Sequence, residues 1–264
     1  MAAIEPMSQF MVKKIVDLPR VQVPGVGSLD LSITNSVMFM LIASVVISTF
    51  FLAASRRQIV PGRLQSAAEA VYELVDGGLA GSIIGDRSRP FLPFVFTLFA
   101  MIAVMNMVGL IPMTFTVTSQ LAVTAVFATF TFLTVLTVGF LRNGLGFFKL
   151  FAPSGVSIGV LVILAPLEFL SFMIRPITLA LRLFGNMMAG HIMVYLFGSF
   201  VVGLGLFAMH GGLASFGFVG SALSLSMIVA LMGLELLVAF LQAFVFAALT
   251  CVYLSEVVNL DHGH

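Results

Sequence analysis

Long apolar runs separated by short polar stretches dominate the sequence. The first run covers about residues 35–55, and roughly twenty residues is the length that one membrane crossing requires. Residues 91–141 contain no Lys, Arg, Asp or Glu. A polar stretch at 114–120 divides them into two further runs, 91–112 and 119–141. These runs predict three membrane-spanning helices.

The last hundred residues form two unusually long apolar segments, 156–208 and 213–258, joined by a predicted turn at 210–212. The second segment contains no proline, and as one helix its roughly 46 residues would extend about 69 Å. A hydrocarbon core is only about 30 Å thick. We therefore predict a hairpin of two long, steeply tilted helices.

Residues 62–84 show a different pattern, with one apolar and one acidic face at helical spacing. The apolar face consists of Leu64, Ala68, Val71 and Val75, and the acidic face of Glu69, Glu73 and Asp76. Unpaired acids do not enter lipid, so this segment is predicted to be an amphipathic helix on the membrane surface.

Composition supports the same class. The chain has 264 residues, of which 60% are hydrophobic and only 9% charged, and its mean hydropathy is +1.17. Soluble domains carry about 25% charged residues. The predicted fold is therefore an all-α integral membrane protein: about five membrane-embedded helices plus one surface helix form a single membrane domain, 35–264. Residues 1–34 are predicted to be a peripheral arm with a short helix around 6–17, and not a secretory signal.

The distribution of positive charge predicts the orientation. The 56–89 segment carries five arginines and the predicted 142–149 loop two more cations, whereas the alternate loops at 113–120 and 209–213 carry none. The positive-inside rule then places the N-terminus outside and the C-terminus inside. A net charge of +1 gives no reason to expect nucleic acid as a partner, and the single Cys251 allows no intrachain disulfide.

Three ionisable residues of the first long segment, Glu168, Arg175 and Arg182, are spaced by seven and return to one helical face within about 20°. Glu168 and Arg175 are expected to lie nearly within reach of each other. Arg182 then has no acidic partner on its own helix. A guanidinium stays charged even when desolvated, and its insertion at mid-membrane costs about 3 kcal/mol or more.

Two interpretations of Arg182 remain open. It could form a structural ion pair with Glu235 on the companion helix. Alternatively, Gly185 and Ala189 on its face, with Asn186 beside them, leave space for another helix to approach. A shallow groove with a fixed cation suits a carboxylate on a separate subunit.

The second long segment repeats the spacing of small residues and is expected to line the same groove. Its members are Ala239, Ala243 and Ala247, with Gln242 among them.

His191 and Glu235 are predicted to lie close together. In a hairpin that turns near residue 210, facing positions have numbers that sum to about 422. His191 would then face about residue 231, which is one helical turn from Glu235. An imidazole next to a carboxylate is a plausible proton relay, although a single membrane histidine is also often a hydrogen-bonded packing residue. Glu256 and the tail beyond it are interpreted as solvated charges.

The sequence contains no GxxxxGK[ST] phosphate loop, no GxGxxG after a strand and no HExxH motif. We therefore expect no catalytic site for covalent chemistry, no cofactor and no metal.

Three blocks resemble one family. They are PITLALRLFGNMMAGH around Arg182, LELLVAFLQAFVFAALTCVYLSE around Gln242, and MNMVGLIP at 105–112. Together they resemble subunit a of the rotary F-type ATP synthase, the stator channel protein of its membrane sector. The arm at 1–34 carries none of these motifs.

The resemblance implies that Arg182 is the essential stator arginine, facing the carboxylates of a rotating c-subunit ring, with Asn186 and Gln242 as polar positions close to it. Arg175 is a secondary candidate. The implied partners are the c-ring, b-type peripheral stalk subunits, the rest of the ATP synthase and membrane lipid, in a bacterial inner membrane.

The resemblance also implies that His191 and Glu235 line an outer half-channel and that Glu168 belongs to an inner one. Many bacterial members have the acid and the histidine exchanged. The order here is similar to mitochondrial and related bacterial members. The competing functional class is a secondary transporter or an antiporter-like respiratory subunit, but such proteins usually contain internal repeats, and none is recognisable in this sequence.

Overall fold

The structure is a computed structural model that describes residues 11–17, 21–23, 27–29, 32–55, 62–111, 114–151, 157–209 and 216–260. Helices dominate these residues. Their bounds are α1 Asn35–Ala54, α2 Arg63–Val75, α3 Ser82–Ile84, α4 Leu92–Gly109, α5 Leu121–Asn143, α6 Ile158–Ala208 and α7 Gly217–Val258. Within this part of the chain, five helical segments are long and apolar enough to cross a membrane. The all-α integral membrane class is confirmed.

The predicted spans agree with α1, α4, α5, α6 and α7 to within a few residues at each end. The predicted turn at 210–212 and Pro112 lie outside the described residues. α6 continues through two prolines, Pro166 and Pro176. Each proline lacks the N–H that would bond to the carbonyl four residues earlier, so each is a local weak point of the helix.

The amphipathic segment is helical from Arg63 to Ile84, with a π-helical turn at Asp76–Gly81 between α2 and α3. Ala68 and Val75 are buried as predicted, but Leu64 is 58% exposed. The buried face therefore begins one turn later than the sequence pattern indicates. It extends through Leu79, Ala80 and Ile84.

The N-terminal arm contains strands where a helix was predicted. β1 (Lys14–Val16) pairs antiparallel with β4 (Ile33–Thr34), and β2 (Val21–Val23) pairs with β3 (Gly27–Leu29). The short helix predicted around 6–17 is wrong for residues 11–17, whereas residues 6–10 lie outside the described part. β-branched residues in β1 and β4 favour the extended conformation.

The segment predicted as a loop at 142–149 is also regular. α5 ends at Asn143 and a 3-10 helix follows at Gly144–Phe151. Phe147 in this helix is 2% exposed, and its ring centroid lies 4.7 Å from that of Phe140 and 5.9 Å from that of Phe172. A segment that buries aromatic side chains gains enough apolar contact to adopt a fixed conformation.

The chain divides into two compact units. The first unit consists of 1–44, 104–120 and 184–241, and the second of 45–103, 121–183 and 242–264. In the first unit, Ser221 Oγ donates a hydrogen bond to the carbonyl of Val201 at 2.9 Å, which joins α7 to α6. Buried Asn106 of α4 donates to the carbonyl of Ala239 on α7 at 3.0 Å.

In the second unit, side chains satisfy the carbonyls at the end of α7, which have no partner within the helix. Asn143 Nδ2 donates to the carbonyl of Val257 at 2.8 Å, and Arg87 Nη1 donates to the carbonyl of Val258 at 3.0 Å. Ser255 on α7 donates in return to the carbonyl of Ile83 at 2.9 Å. The end of α7 is thus fixed on two sides.

The side chains of Phe147 and Val257 pack closely against Gly139 of α5 because this residue has no side chain. A Cβ at this position would lie 2.6 Å from Cδ2 of Phe147 and 2.9 Å from Cγ1 of Val257. Both side chains are buried and cannot move freely. We expect Gly139→Ala to lower the free energy of unfolding by about 1–3 kcal/mol, measured as thermal stability in detergent.

Gly146→Ala is the matched control, because the nearest atom to its Cβ would be 3.9 Å away, in Asn143. Equal stability of the two variants would contradict the packing that we describe.

Candidate functional site

A histidine and a glutamate meet within the first unit, on the two longest helices. His191 Nε2 of α6 lies 3.7 Å from Glu235 Oε1 of α7. Their side chains are 15% and 8% exposed, respectively. The predicted proximity of the two residues is confirmed, whereas their part in proton transfer stays a prediction.

A threonine extends this pair into a cluster. Thr116 Oγ1 lies 2.8 Å from His191 Nε2 and 3.1 Å from the carbonyl oxygen of Gly109. A hydroxyl has one proton, and a carbonyl can only accept. When Thr116 donates to Gly109, its oxygen must accept from the N–H of His191 Nε2. When Thr116 donates to an unprotonated Nε2 instead, the direction is reversed, so the direction of this hydrogen bond depends on the tautomer of His191.

Glu235 is held at a place where α6 has no side chain. A Cβ on Gly190 would lie 2.7 Å from Oε1 of Glu235 and 2.9 Å from its carboxyl carbon. Gly109 has the same relation to Thr116, whose Cγ2 would be 2.7 Å from an added Cβ. Two glycines thus make room for two members of the cluster.

Oε1 of Glu235 has no hydrogen-bond partner among the described residues. Buried polar atoms without a partner are rare in folded proteins, and they need an explanation such as a functional role or a water. The nearest ionisable group to this atom among the described residues is the imidazole of His191, whose Nε2 lies 3.7 Å away.

A cleft of about 640 Å³ extends to this cluster. It is lined by both His191 and Glu235, by Tyr195 and Met232 of the same helices, and by residues before α4 in the chain. The latter include Lys13 and Asn35. Asn35 Nδ2 donates to the carbonyl of Met11 at 3.2 Å, and its Oδ1 accepts from the backbone N–H of Lys13 at 3.2 Å.

Arg182 belongs to the second unit and is exposed on α6. Its neighbours Leu179 and Leu183 are 2% and 0% exposed, so the side chain of Arg182 lies outside the face of α6 that is buried in this unit. No acidic side chain among the described residues of this unit forms an ion pair with it.

Three other residues of α6, namely Gly185, Asn186 and Ala189, are also exposed. A Cβ on Gly185 would meet nothing within 4 Å. The exposed residues of α6 at the start of this stretch of the first unit therefore include two with a small side chain or none, Gly185 and Ala189.

The groove prediction for α7 is wrong. Ala239, Ala243 and Ala247 are 0% exposed, and Gln242 is 5% exposed. Small residues on a helix allow close packing whether the neighbour is another chain or a helix of the same chain. The sequence pattern alone does not distinguish these two cases.

The interpretation of Glu256 as a solvated charge is wrong. Arg175 Nη1 of α6 forms a short ion pair with Glu256 Oε2 of α7. The guanidinium carbon lies 4.8 Å from the ring centroid of Tyr253. Glu168 is partly exposed, and among the described residues it forms no ion pair with Arg175.

Sequence reasoning missed Thr116, Gly190 and Gly109 as parts of the His191 cluster. Thr116 lies in the polar stretch at 114–120. Gly109 and Gly190 lie inside the blocks MNMVGLIP and PITLALRLFGNMMAGH, in which the prediction rests on other residues. The useful signal was the position of each glycine, since a glycine within an apolar helix often marks the close approach of another group.

The described residues contain five helices that are long and apolar enough to cross a membrane, and Arg182, His191 and Glu235 lie on two of them. These features define an integral membrane protein. The sequence model of one family, described as ATP synthase A chain, matches residues 37–255. The chain belongs to this family.

Curated relatives agree over nearly the full length. An ATP synthase subunit a of Hyphomonas neptunium is 46% identical over 262 residues, which cover 98% of each chain. The subunit a of Mesorhizobium japonicum is 46% identical over 260 residues, 98% of each chain. That of Rhodopseudomonas palustris is 47% identical over 260 residues, 98% of this chain and all of the relative.

The contact between Gly190 and Glu235 generates a stability prediction. We expect Gly190→Ala to lower the free energy of unfolding by about 1–3 kcal/mol, because its Cβ displaces a buried carboxylate. The measurement is thermal unfolding in detergent, with Gly198→Ala as the matched control, since a Cβ there would meet nothing within 4 Å.

In a Glu235→Ala background, most of the cost of Gly190→Ala should disappear, because the colliding carboxyl group is gone. Strict additivity of the two substitutions would show that the contact does not set the position of Glu235.

Proposed function

We propose that this chain is the proton-translocating stator subunit of an F-type ATP synthase in a bacterial inner membrane. The observation that carries the proposal is the outward position of Arg182 on an apolar helix, with the exposed small residues Gly185 and Ala189 following it. A permanent cation at membrane depth needs a negative partner. In this proposal, the partners are carboxylates of a c-subunit ring that turns past this face.

The His191 and Glu235 cluster is the outer half-channel of this proposal. Protons from outside enter through the cleft of about 640 Å³, pass the cluster and protonate a ring carboxylate. The neutral acid can then move through lipid, where its charged form would be very costly. Membership of the ATP synthase A chain family supports this route, and the buried carboxylate of Glu235 with the imidazole of His191 3.7 Å from it gives the route a chemical basis.

Release takes place on the inner side, near Glu168. Arg182 lies between the two paths and favours the ionised ring carboxylate, with an attraction of about 4 kcal/mol at 4 Å for an effective dielectric constant near 20. The same fixed charge repels protons that would pass directly between the half-channels. Asn186 and Gln242 are polar neighbours of Arg182 in this scheme.

The orientation follows the positive-inside rule, with the N-terminus outside and the C-terminus in the cytoplasm. The subunit carries out no covalent step, and the ATP chemistry belongs to the rest of the synthase. Its partners are the c-ring and the b-type peripheral stalk. Purification in mild detergent tests this directly: a c-ring and a soluble ATPase should accompany the chain, whereas a secondary transporter would be recovered without them.

The role of Arg182 is tested by substitution. We expect Arg182→Ala to abolish ATP-driven proton pumping in inverted membrane vesicles, because no other group in this scheme separates the half-channels. Arg175→Ala should retain partial activity, because Arg175 contacts Glu256 and not the ring. Pumping is followed by the quenching of a pH-sensitive dye.

Equal loss in both variants would show that the two arginines are wrongly ranked. If Arg182 instead served as a structural partner of Glu235, then Arg182→Ala combined with Glu235→Ala would regain pumping that the single variants lack.

The role of His191 gives a further prediction. His191→Ala should slow passive proton flow through the membrane sector and alter its pH dependence, because the imidazole is the titrating group next to Glu235. Flow is measured in vesicles stripped of the soluble ATPase. An unchanged rate and pH profile would remove His191 from the path.

A further inference from the structure

Arg175 connects α6 to α7 within the second unit through several contacts of one side chain. It forms an ion pair with Glu256 in which the two side chains are 20% and 33% exposed, respectively. Its guanidinium carbon also lies 4.8 Å from the ring centroid of Tyr253 and 5.5 Å from that of Phe172. Cation–π contacts of this kind strengthen when they are removed from water.

These contacts coincide with a weak point of α6. Pro176 follows Arg175 directly and lies inside the helix. Its nitrogen cannot donate to the carbonyl of Phe172, so the backbone lacks one restraint at this turn. The side chain of Arg175 supplies a restraint at the same place, because it contacts both its own helix at Phe172 and α7 at Tyr253.

Arg182 lies two turns further along α6. No carboxylate among the described residues of its unit fixes its guanidinium by an ion pair, so its position depends on the backbone of α6. Arg175 and Arg182 lie on the same helix within the second unit, so a shift of α6 against α7 at Tyr253 also moves the backbone that carries Arg182.

We propose that Arg175 and Glu256 are positioning residues, which lock the segment of α6 after Pro176 against α7 and so hold Arg182 in place. This inference rests on the proposed function of Arg182. Each passing carboxylate attracts the guanidinium and pulls on α6, and small displacements of a reacting group are enough to reduce rates strongly. The ion pair resists this displacement without contacting the ring itself.

Charge exchange tests the proposal in the complete ATP synthase. We expect Arg175→Glu and Glu256→Arg each to reduce ATP-driven proton pumping about tenfold, because each leaves two like charges in contact at a partly buried position. The double exchange restores the ion pair and should return pumping to within about threefold of wild type, since only the stacking on Tyr253 and Phe172 is lost.

Arg142→Glu is the matched control. Arg142 also stacks on an aromatic ring, with 5.2 Å between its guanidinium carbon and the centroid of Phe91, but it is exposed and lies on α5. Its reversal should leave pumping near the wild-type rate. Assembly is checked in each variant by the amount of c-ring that co-purifies.

Recovery of pumping in the double variant supports positioning, whereas a double variant no better than the worse single one overturns it. If reversed charges prevent assembly, the milder Glu256→Gln decides: a loss of about threefold or more with full assembly supports the proposal, and wild-type pumping overturns it. Failure of the proposed function would appear differently, as pumping that does not depend on Arg182 at all.

Discussion

The burial of an ionisable side chain among apolar helices costs free energy. Three such side chains, Arg175, Glu235 and Arg182, have different surroundings in this structure. Arg175 is paired with Glu256 and stacked on aromatic rings within the chain. Glu235 is buried beside an imidazole that accepts or donates protons. Arg182 alone among these three faces outward without an ion pair to a described acid of its own unit. Arg175 and Arg182 therefore differ in their surroundings although they lie two turns apart on the same helix.

Glycine determines where these solutions are sterically possible. The carboxyl group of Glu235 occupies the place of the missing Cβ of Gly190, and Thr116 does the same at Gly109. Both contacts bring polar side chains against a helix backbone, where an alanine would force them apart. The chemistry of the cluster therefore depends as much on two absent methyl groups as on the ionisable residues.

The sequence was sufficient to predict the spanning helices, because twenty or more apolar residues have few alternatives in a bilayer. It also predicted that His191 and Glu235 meet, since a hairpin of two helices fixes which positions face each other. The helix predicted around residues 6–17 is wrong over residues 11–17, and so is the loop predicted at 142–149, because short segments depend on partners that are distant in sequence.

The sequence was sufficient to predict which residues of the candidate site are of interest. It was not sufficient to predict which side chains contact each other. Glu256 was interpreted as a solvated charge because it lies near the end of the chain, yet α7 brings it to Arg175. The alanines at 239, 243 and 247 have the spacing of an open groove but are fully buried. In both cases, the missing information was which surface a neighbouring helix covers.

The contact of Glu235 with Gly190 also limits how α6 and α7 can slide along each other in the first unit. The residues that share the face of Gly190 one turn before and after it are Met187 and Val194, and both have a Cβ. A translation of α6 by about one turn would bring one of them against the carboxyl group. Gly190 thus helps to set the axial register of the two helices, and Glu235 is the side chain that fills the space left by the missing Cβ.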